Sequence, residues 1–305
     1  MLDKMIQKKF PDPKDPAGRS AMGREAAVMG IVLNFIFALS KIVIGTLAGA
    51  ISMIADGLNN TMDLMSSVIA LGGFHFAALP ADRRHPYGHA RMEYLASFLV
   101  SLIIIWTGLS LLWESAKTII HPDAMETSAL AVGVLIASMA GKVFLYRYNV
   151  VLGEAMDSEL LIATGYDARG DVFATAAVLF SLLVNQLFSL NIDGWMGLVV
   201  AGIILKSGWE SLMETVDSLL GGKTDPELVR AIMKDIKSYP VALGVHDMMY
   251  HDYGANKQFL TLHVEVNSED DVMKIHQDID EIERNIAAKY HMDTTIHIDP
   301  IRIDD

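Results

Sequence analysis

Apolar residues dominate six long stretches within the first 220 positions, each broken from the next by a short polar or small-residue segment. A helix needs about 20 mostly apolar residues to cross the roughly 30 Å hydrocarbon core of a bilayer, so each stretch predicts a transmembrane helix. The predicted spans run from about Ala26 to Leu47, Ile51 to Ala78, Tyr94 to Trp113, Ser128 to Tyr148, Glu159 to Val184 and Trp195 to Leu220. Only Ala48, Gly49 and Ala50 separate the first two, whereas the loop ADRRHPYGHARME separates the second from the third. Pro122 in HPDAMET breaks the third from the fourth, and after Gly221 and Gly222 the long apolar runs stop.

The remainder, residues 221–305, has a different periodicity. TDPELVRAIMKDIKSY opens with a helix-start pattern and continues with apolar residues at helical spacing. GVHDMMYHDYG and KQFLTLHVEVN alternate like strands around a turn at Gly254-Ala255-Asn256. VMKIHQDIDEIERNIAAKY returns to helical spacing, and TTIHIDPIRI ends the chain as a strand. The order α, β, β, α, β predicts a small soluble α+β module. The fold class expected is thus an α-helical membrane protein of six transmembrane helices over residues 26–220, with a C-terminal α+β domain.

Composition agrees with this division: 52% hydrophobic residues but 20% charged ones require one part in lipid and another in water. Residues 1–25 carry Lys and Arg but no apolar core of the length a signal peptide needs, and read as a cytoplasmic tail. Lys4, Lys8, Lys9, Lys14, Arg19 and Arg24 precede the first span, and Arg83, Arg84 and Arg91 flank the second loop, while the opposite-side loops hold only Lys117. The positive-inside rule then places both termini in the cytoplasm and the protein in the cell membrane as a multi-pass chain. A net charge of −13 argues against nucleic acid as partner and suits cations. With no cysteine, a metal site must use oxygen or imidazole nitrogen.

Acids inside a membrane span are expensive unless they meet a partner, so each is a candidate functional residue. The second span holds Asp56, Asn59, Asn60 and Asp63 in ADGLNNTMDLMSS; the fifth holds Asp167 and Asp171 in TGYDARGDVFATAA. Asn59 and Asp63 stand four apart, as do Asp167 and Asp171, and such pairs share a helix face. Two such helices face to face bring oxygen ligands to one point, where a divalent cation would offset the crowded carboxylates. Asp56 with Asn60 is an equally spaced alternative aimed at another angle, and Asp56 is near enough to the helix start to act as a cap. An all-oxygen set favours harder ions such as Mn²⁺ or Mg²⁺ over Zn²⁺ and Cu⁺, and because Mg²⁺ keeps too much of its water for a compact site, Mn²⁺ or Fe²⁺ fits better, with a Zn²⁺ or Cd²⁺ exporter as the alternative. Outside the spans, Asp82, His85 and His89 share the second loop, where Pro86 disfavours a helix.

At these residues the chain resembles the cation diffusion facilitator family of metal exporters over nearly its whole length. A-D-G-L-N-N-T-M-D is similar to that family's A-D-x-x-H-x-x-x-D, with Asn59 where zinc members have histidine and Asp63 as the final acid. YDARGDV places Asp167 and Asp171 in the fifth-span pair, again without histidine, and the Asn-Asp-Asp-Asp set resembles the manganese branch. The resemblance implies a Mn²⁺ exporter working by alternating access with proton antiport, and a cytoplasmic ferredoxin-like domain that forms a homodimer. It implies a second metal site at Asp82, His85 and His89, and a cytoplasmic one at His246, His263, His276, His297 and Asp299. His251 and His291 match no motif. No enzymatic activity is expected, since no general acid or base stands beside the paired acids. A passive channel is the competing class, but it needs weaker, more easily vacated sites.

Overall fold

The structure, a computed structural model, describes residues 16–48, 51–121, 129–188, 190–221, 226–255 and 257–302. The side chains of Asp56 and Asn59 lie outside the described residues. The chain divides into two compact units, one of residues up to Leu79 with Met92–Val216, the other of Pro80–Arg91 with Asp217–Asp305.

Among the described residues, the first unit contains six long helices: α1 (Pro16–Ala48), α2 (Ile51–Ala77), α3 (Met92–Ile120), α4 (Ala129–Met156), α5 (Glu159–Phe188) and α6 (Asp193–Leu219). Among the described residues, four of them are long and apolar enough to cross a membrane: α1, α3, α5 and α6. The described stretches of α2 and α4 carry Asn60 and Asp63, and Lys142, Arg147 and Asn149, respectively. Helix α4 runs on past its predicted end at Tyr148 because Leu145, Asn149, Leu152 and Met156 repeat at helical spacing and are all buried.

Helix α1 starts ten residues before its predicted span, so part of the expected tail of residues 1–25 is helical. Proline suits a first helical turn, where its missing N–H has no partner to lose. Arg19, predicted to lie in a solvated tail, is instead buried, donating from Nη2 to Glu93 Oε1 at 2.9 Å and to the Asp157 carbonyl at 3.2 Å. Ser158 Oγ donates to the same Glu93 oxygen. This buried ion pair ties the starts of α1 and α3 to the turn between α4 and α5.

The bundle is apolar outside and partly polar within. Phe35, Trp106, Trp113, Phe180, Trp195 and Val199 are exposed, while Ser97, Ser101, Ser211 and Thr215 are buried. That inversion suits a lipid surround, where helices associate through small residues and interhelical hydrogen bonds. Helices α3 and α6 do so: Ser97 Oγ lies 3.0 Å from Thr215 Oγ1 and Ser101 Oγ lies 2.8 Å from Ser211 Oγ. Gly194 brings α6 so near that a Cβ there would lie 2.9 Å from the Ser115 carbonyl oxygen.

The second unit has the predicted order: α7 (Pro226–Ile236), β1 (Gly244–Asp252), β2 (Gln258–Asn267), α8 (Val272–Tyr290) and β3 (Asp293–Ile301). The sheet order is β1-β2-β3, with β1 antiparallel and β3 parallel to β2. Asp271 caps α8 by accepting from the backbone N–H groups of Met273 and Lys274. Alternation decides the faces. Leu260, Leu262, Val264 and Val266 of β2 are buried with Val245 and Ile296 against Ile232 and Ile236 of α7 and Ile275, Ile279, Ile282 and Ile286 of α8. The intervening residues occupy the face without helices.

Residues 80–91 belong to this unit. Tyr87 stacks on Tyr253 at 4.4 Å between ring centroids and meets Phe259 edge-on at 5.3 Å. The Arg91 guanidinium lies 4.3 Å from the Tyr253 ring centroid and donates to the Asp252 carbonyl. Gly254, at φ +107°, allows the loop this close, since a Cβ there would lie 2.7 Å from Ala90.

Candidate metal-transport site

Asp63 on α2 and Asp171 on α5 approach one another around a cation supplied by α4. Lys142 Nζ donates to Asp63 Oδ2 at 2.8 Å and to Asp171 Oδ2 at 2.6 Å. Lys142 and Asp63 are buried, and the Asp171 side chain retains 17% exposure. Asp171 borders a cavity of about 540 Å³ whose wall includes Met62, Met65, Trp106 and Glu114. Asp167, one turn earlier on α5, lines a separate small cavity with Lys142, Asn34 and Asn149. Arg169, between the two acids in sequence, turns instead to α6, where it donates to Ser207 Oγ at 2.7 Å.

The backbone around Asp63 is itself anchored. Asn34 Nδ2 donates to the Asp63 carbonyl and to Ser67 Oγ, both at 3.3 Å. Asn60, the alternative ligand on α2, points elsewhere: its Oδ1 accepts from Lys41 Nζ of α1 at 2.8 Å. Thus Asp63 meets the fifth helix while Asn60 is engaged by the first. Asn59, the other half of the predicted pair, has its side chain outside the described residues, as has Asp56.

In the second unit, strand register aligns three histidines. His246 of β1 pairs with His263 of β2, and His263 pairs with His297 of β3, all on the face without helices. Ring centroids are 5.3 and 4.7 Å apart along this row. Asp299 sits among them, with Oδ2 at 2.9 Å from His263 Nδ1 and 3.2 Å from His246 Nε2, and Oδ1 at 3.5 Å from His297 Nε2. A hydrogen bond from His263, with the nearby imidazoles, holds the Asp299 carboxyl below the usual carboxylate range. The pairing shifts between His246 and Met249, and Asp247, at φ +49°, lies 3.4 Å from His246 Nδ1. Donor atoms of His263, His297 and Asp299 lie within 4.8 Å of one another, as do those of His246, Asp247 and His263, so either set, the two sharing His263, is close enough to hold an ion. His276, on the exposed side of α8, is not in either cluster.

Asp82, His85 and His89 form a third such cluster. Asp82 Oδ1 accepts from the backbone N–H of Arg84 and of His85, both at 2.7 Å, an Asx turn that fixes the carboxylate. Those two bonds hold Asp82 below the usual carboxylate range. His85 Nδ1 lies 3.3 Å from Asp82 Oδ1 and His89 Nε2 lies 3.7 Å from Asp82 Oδ2. The two imidazoles meet without a helix: Gly88, at φ +87°, turns the chain back and brings their centroids to 4.4 Å.

Residues 27–220 match the cation efflux transmembrane domain, and residues 224–301 match the cation efflux protein cytoplasmic domain. The chain belongs to the cation efflux, or cation diffusion facilitator, family. Among its relatives, an uncharacterized transporter of Methanocaldococcus jannaschii is 32% identical over 249 residues, covering 82% of this chain and 88% of the relative. The manganese efflux system protein MneS of Bacillus subtilis is 28% identical over 288 residues, 92% of this chain and 96% of the relative. MneP of the same organism, also a manganese efflux system protein, is 28% identical over 219 residues, 69% and 73% of the two chains.

Within this cation efflux transporter, Lys142, which bridges the two candidate acids, and Lys41, which engages Asn60, are the buried cations that reading the acids alone passes over. The signal was present: a lysine in the apolar stretch MAGKVFLY is as costly in a membrane as an aspartate, and demands a partner for the same reason. Asp247 escaped because strict alternation would place it on the core face, and only the bulge returns it to the histidine row.

Proposed function

We propose that the protein exports Mn²⁺ across the cell membrane by alternating access, with all six helices α1–α6 spanning the bilayer, both termini cytoplasmic, and Asn59, Asp63, Asp167 and Asp171 as the transport ligands. The observation that carries this reading is the convergence of Asp63 and Asp171 on one cation position, 2.8 and 2.6 Å from a single nitrogen. Hard divalent ions bind carboxylate oxygens at about 2.0–2.6 Å, so the same two oxygens suit a metal. Two relatives named as manganese efflux proteins favour Mn²⁺ over Fe²⁺, Zn²⁺ or Cd²⁺ as cargo. The oxygen-only motif favours the same choice. Protons are the proposed exchange partner, and the 540 Å³ cavity beside Asp171 is the proposed outward path.

The C-terminal domain, ferredoxin-like and homodimeric in this reading, binds a regulatory metal through His246, His263, His297 and Asp299, while His276, on the exposed side of α8, lies apart from that cluster. Imidazole nitrogens and a carboxylate oxygen suit a borderline divalent ion. Asp82, His85 and His89 form a further site on the loop attached to that domain.

The test is uptake into proteoliposomes carrying a metal-sensitive dye, comparing Mn²⁺, Fe²⁺, Zn²⁺, Cd²⁺ and Mg²⁺. Mn²⁺ is carried by the wild type, Asp171→Ala abolishes uptake, Asn59→His admits Zn²⁺, and collapsing a pH gradient slows transport. Zn²⁺ preference in the wild type would remove the Mn²⁺ assignment, normal uptake by Asp171→Ala would remove the site, and non-saturating flux would favour a channel.

A further inference from the structure

Lys142 occupies the point at which Asp63 and Asp171 would share a metal ion. Its ammonium and a divalent cation therefore compete for Asp63 Oδ2 and Asp171 Oδ2. A lysine displaced from there must find another partner, because an unpaired buried ammonium is far costlier than a paired one. The surroundings provide one. Lys142 lines a cavity of about 20 Å³ with Asn34, Asn149 and Asp167. The Oδ1 atoms of Asn34 and Asn149 are buried and, among the described residues, have no hydrogen-bond partner. Asn34 is held in that orientation, since its amide nitrogen is engaged by the Asp63 carbonyl and Ser67. Buried unpaired acceptors are rare and call for a donor, and an ammonium carries three.

Charge leads to the same point. With all three aspartates ionised, Lys142 leaves the site two negative charges, which one divalent cation offsets in full. Until protons reach the emptied site, the lysine also relieves the repulsion among those like charges.

We propose that Lys142 is a tethered counter-cation with two seats, one between Asp63 and Asp171 and the other against Asn34 and Asn149, and that cargo binding moves it from the first to the second. The ammonium thereby stands in for the metal while the empty carrier resets, and sets the affinity the metal must exceed. This rests on Asp63 and Asp171 being the transport ligands.

The experiment is calorimetric Mn²⁺ binding to the purified full-length protein in an Asp299→Ala background, which removes the acid shared by the histidine row. Lys142→Met removes the competitor, so Mn²⁺ binds about tenfold more tightly while transport slows, the emptied site having lost its counter-charge. Lys142→Arg goes the other way, about tenfold weaker, because a forked guanidinium grips two carboxylates better than an ammonium does. Asn149→Leu weakens Mn²⁺ binding when Lys142 is present and has no effect when it is Met, a non-additivity that a merely structural Lys142 would not produce. Equal or weaker binding by a folded Lys142→Met overturns the proposal. If that variant does not fold, wild-type affinity in Lys142→Arg overturns it. Asp171→Asn separates the two readings: binding unchanged there removes the transport site and with it the proposal, whereas binding lost there with Lys142 variants at wild-type affinity removes the proposal alone.

Discussion

His263 and Asp299 stand 2.9 Å apart on adjacent parallel strands, in a register that also pairs His263 with His297. One carboxylate thereby serves three imidazoles, and Asp299→Asn removes the negative charge that favours a metal over protonated histidines. The expected outcome is at least about tenfold weaker metal binding at this face, with transport-site binding retained. Because metal competes with protons for the imidazole nitrogens, occupancy is lower at pH 5.5 than at pH 7.5. Calorimetry on the full-length protein at pH 7.5 and 5.5 checks both.

A second acid in the same unit makes a pH prediction about stability. Asp235 accepts from Lys289 Nζ and from the Tyr290 hydroxyl, and the lysine bond first, then the tyrosine bond, hold it below the usual carboxylate range. The same contact raises Lys289. A lowered acid stabilises the fold above its unfolded pKa of about 3.9 and loses that contribution as pH falls through its folded value. A raised lysine contributes below about 10.4 and loses its share above. Asp235→Asn therefore lowers the melting temperature of the C-terminal unit slightly near pH 7, and the difference from wild type is smaller near pH 3. Thermal melts at the two pH values test this, and the effect is small because the groups are exposed.

Much of this architecture is legible in the residues themselves. Periodicity distinguishes the long apolar helices from the αββαβ tail because burial in lipid and burial under a sheet leave different repeats. Asp63 and Asp171 are legible because an acid in an apolar run has no inexpensive explanation. What periodicity misses depends on long-range contact. Arg19 looks like part of a solvated tail until Glu93, 74 residues away, accepts a hydrogen bond from its guanidinium. Lys142 gains its meaning only when α4 lies beside both α2 and α5, and the choice between Asn60 and Asp63 depends on Lys41 of another helix. The histidine row is likewise a matter of register between strands, which alternation within each strand leaves open.

The loop of residues 80–91 is held by aromatic stacking, and that gives a third prediction. Tyr253 contacts Tyr87, Phe259 and Arg91. Tyr253→Ala removes all three contacts while leaving the helices of the first unit untouched. Amide hydrogen exchange of residues 82–91 should rise by an order of magnitude or more, since one aromatic pair is worth about 0.5–1.5 kcal/mol and a cation over a ring adds to it. The Asp82–His85–His89 cluster, whose Asx turn is local, keeps its geometry, so metal binding there is reduced less than loop protection is. Loss of both in equal measure would mean that the turn depends on the stack.

Helix α6 offers a paired test of the small-residue seam against α3. A Cβ on Gly194 would lie 2.9 Å from the Ser115 carbonyl oxygen and 3.0 Å from the Ile119 nitrogen, both backbone atoms of a helix that cannot yield without breaking its own hydrogen bonds. Gly202 of the same helix has nothing within 4 Å of the equivalent position. Gly194→Ala should therefore destabilise the helical unit by about 1–3 kcal/mol, the usual range for overpacking. Gly202→Ala adds a methyl to open space and reduces the freedom of the unfolded chain, so it should be neutral or stabilising by up to about 1 kcal/mol. Both are small-residue changes in one helix, so helix propensity alone predicts the same sign for the two. Opposite signs in thermal stability, read by size-exclusion survival after heating, isolate the α3–α6 contact as the cause; matching gains would mean that the two helices separate readily enough to admit the methyl.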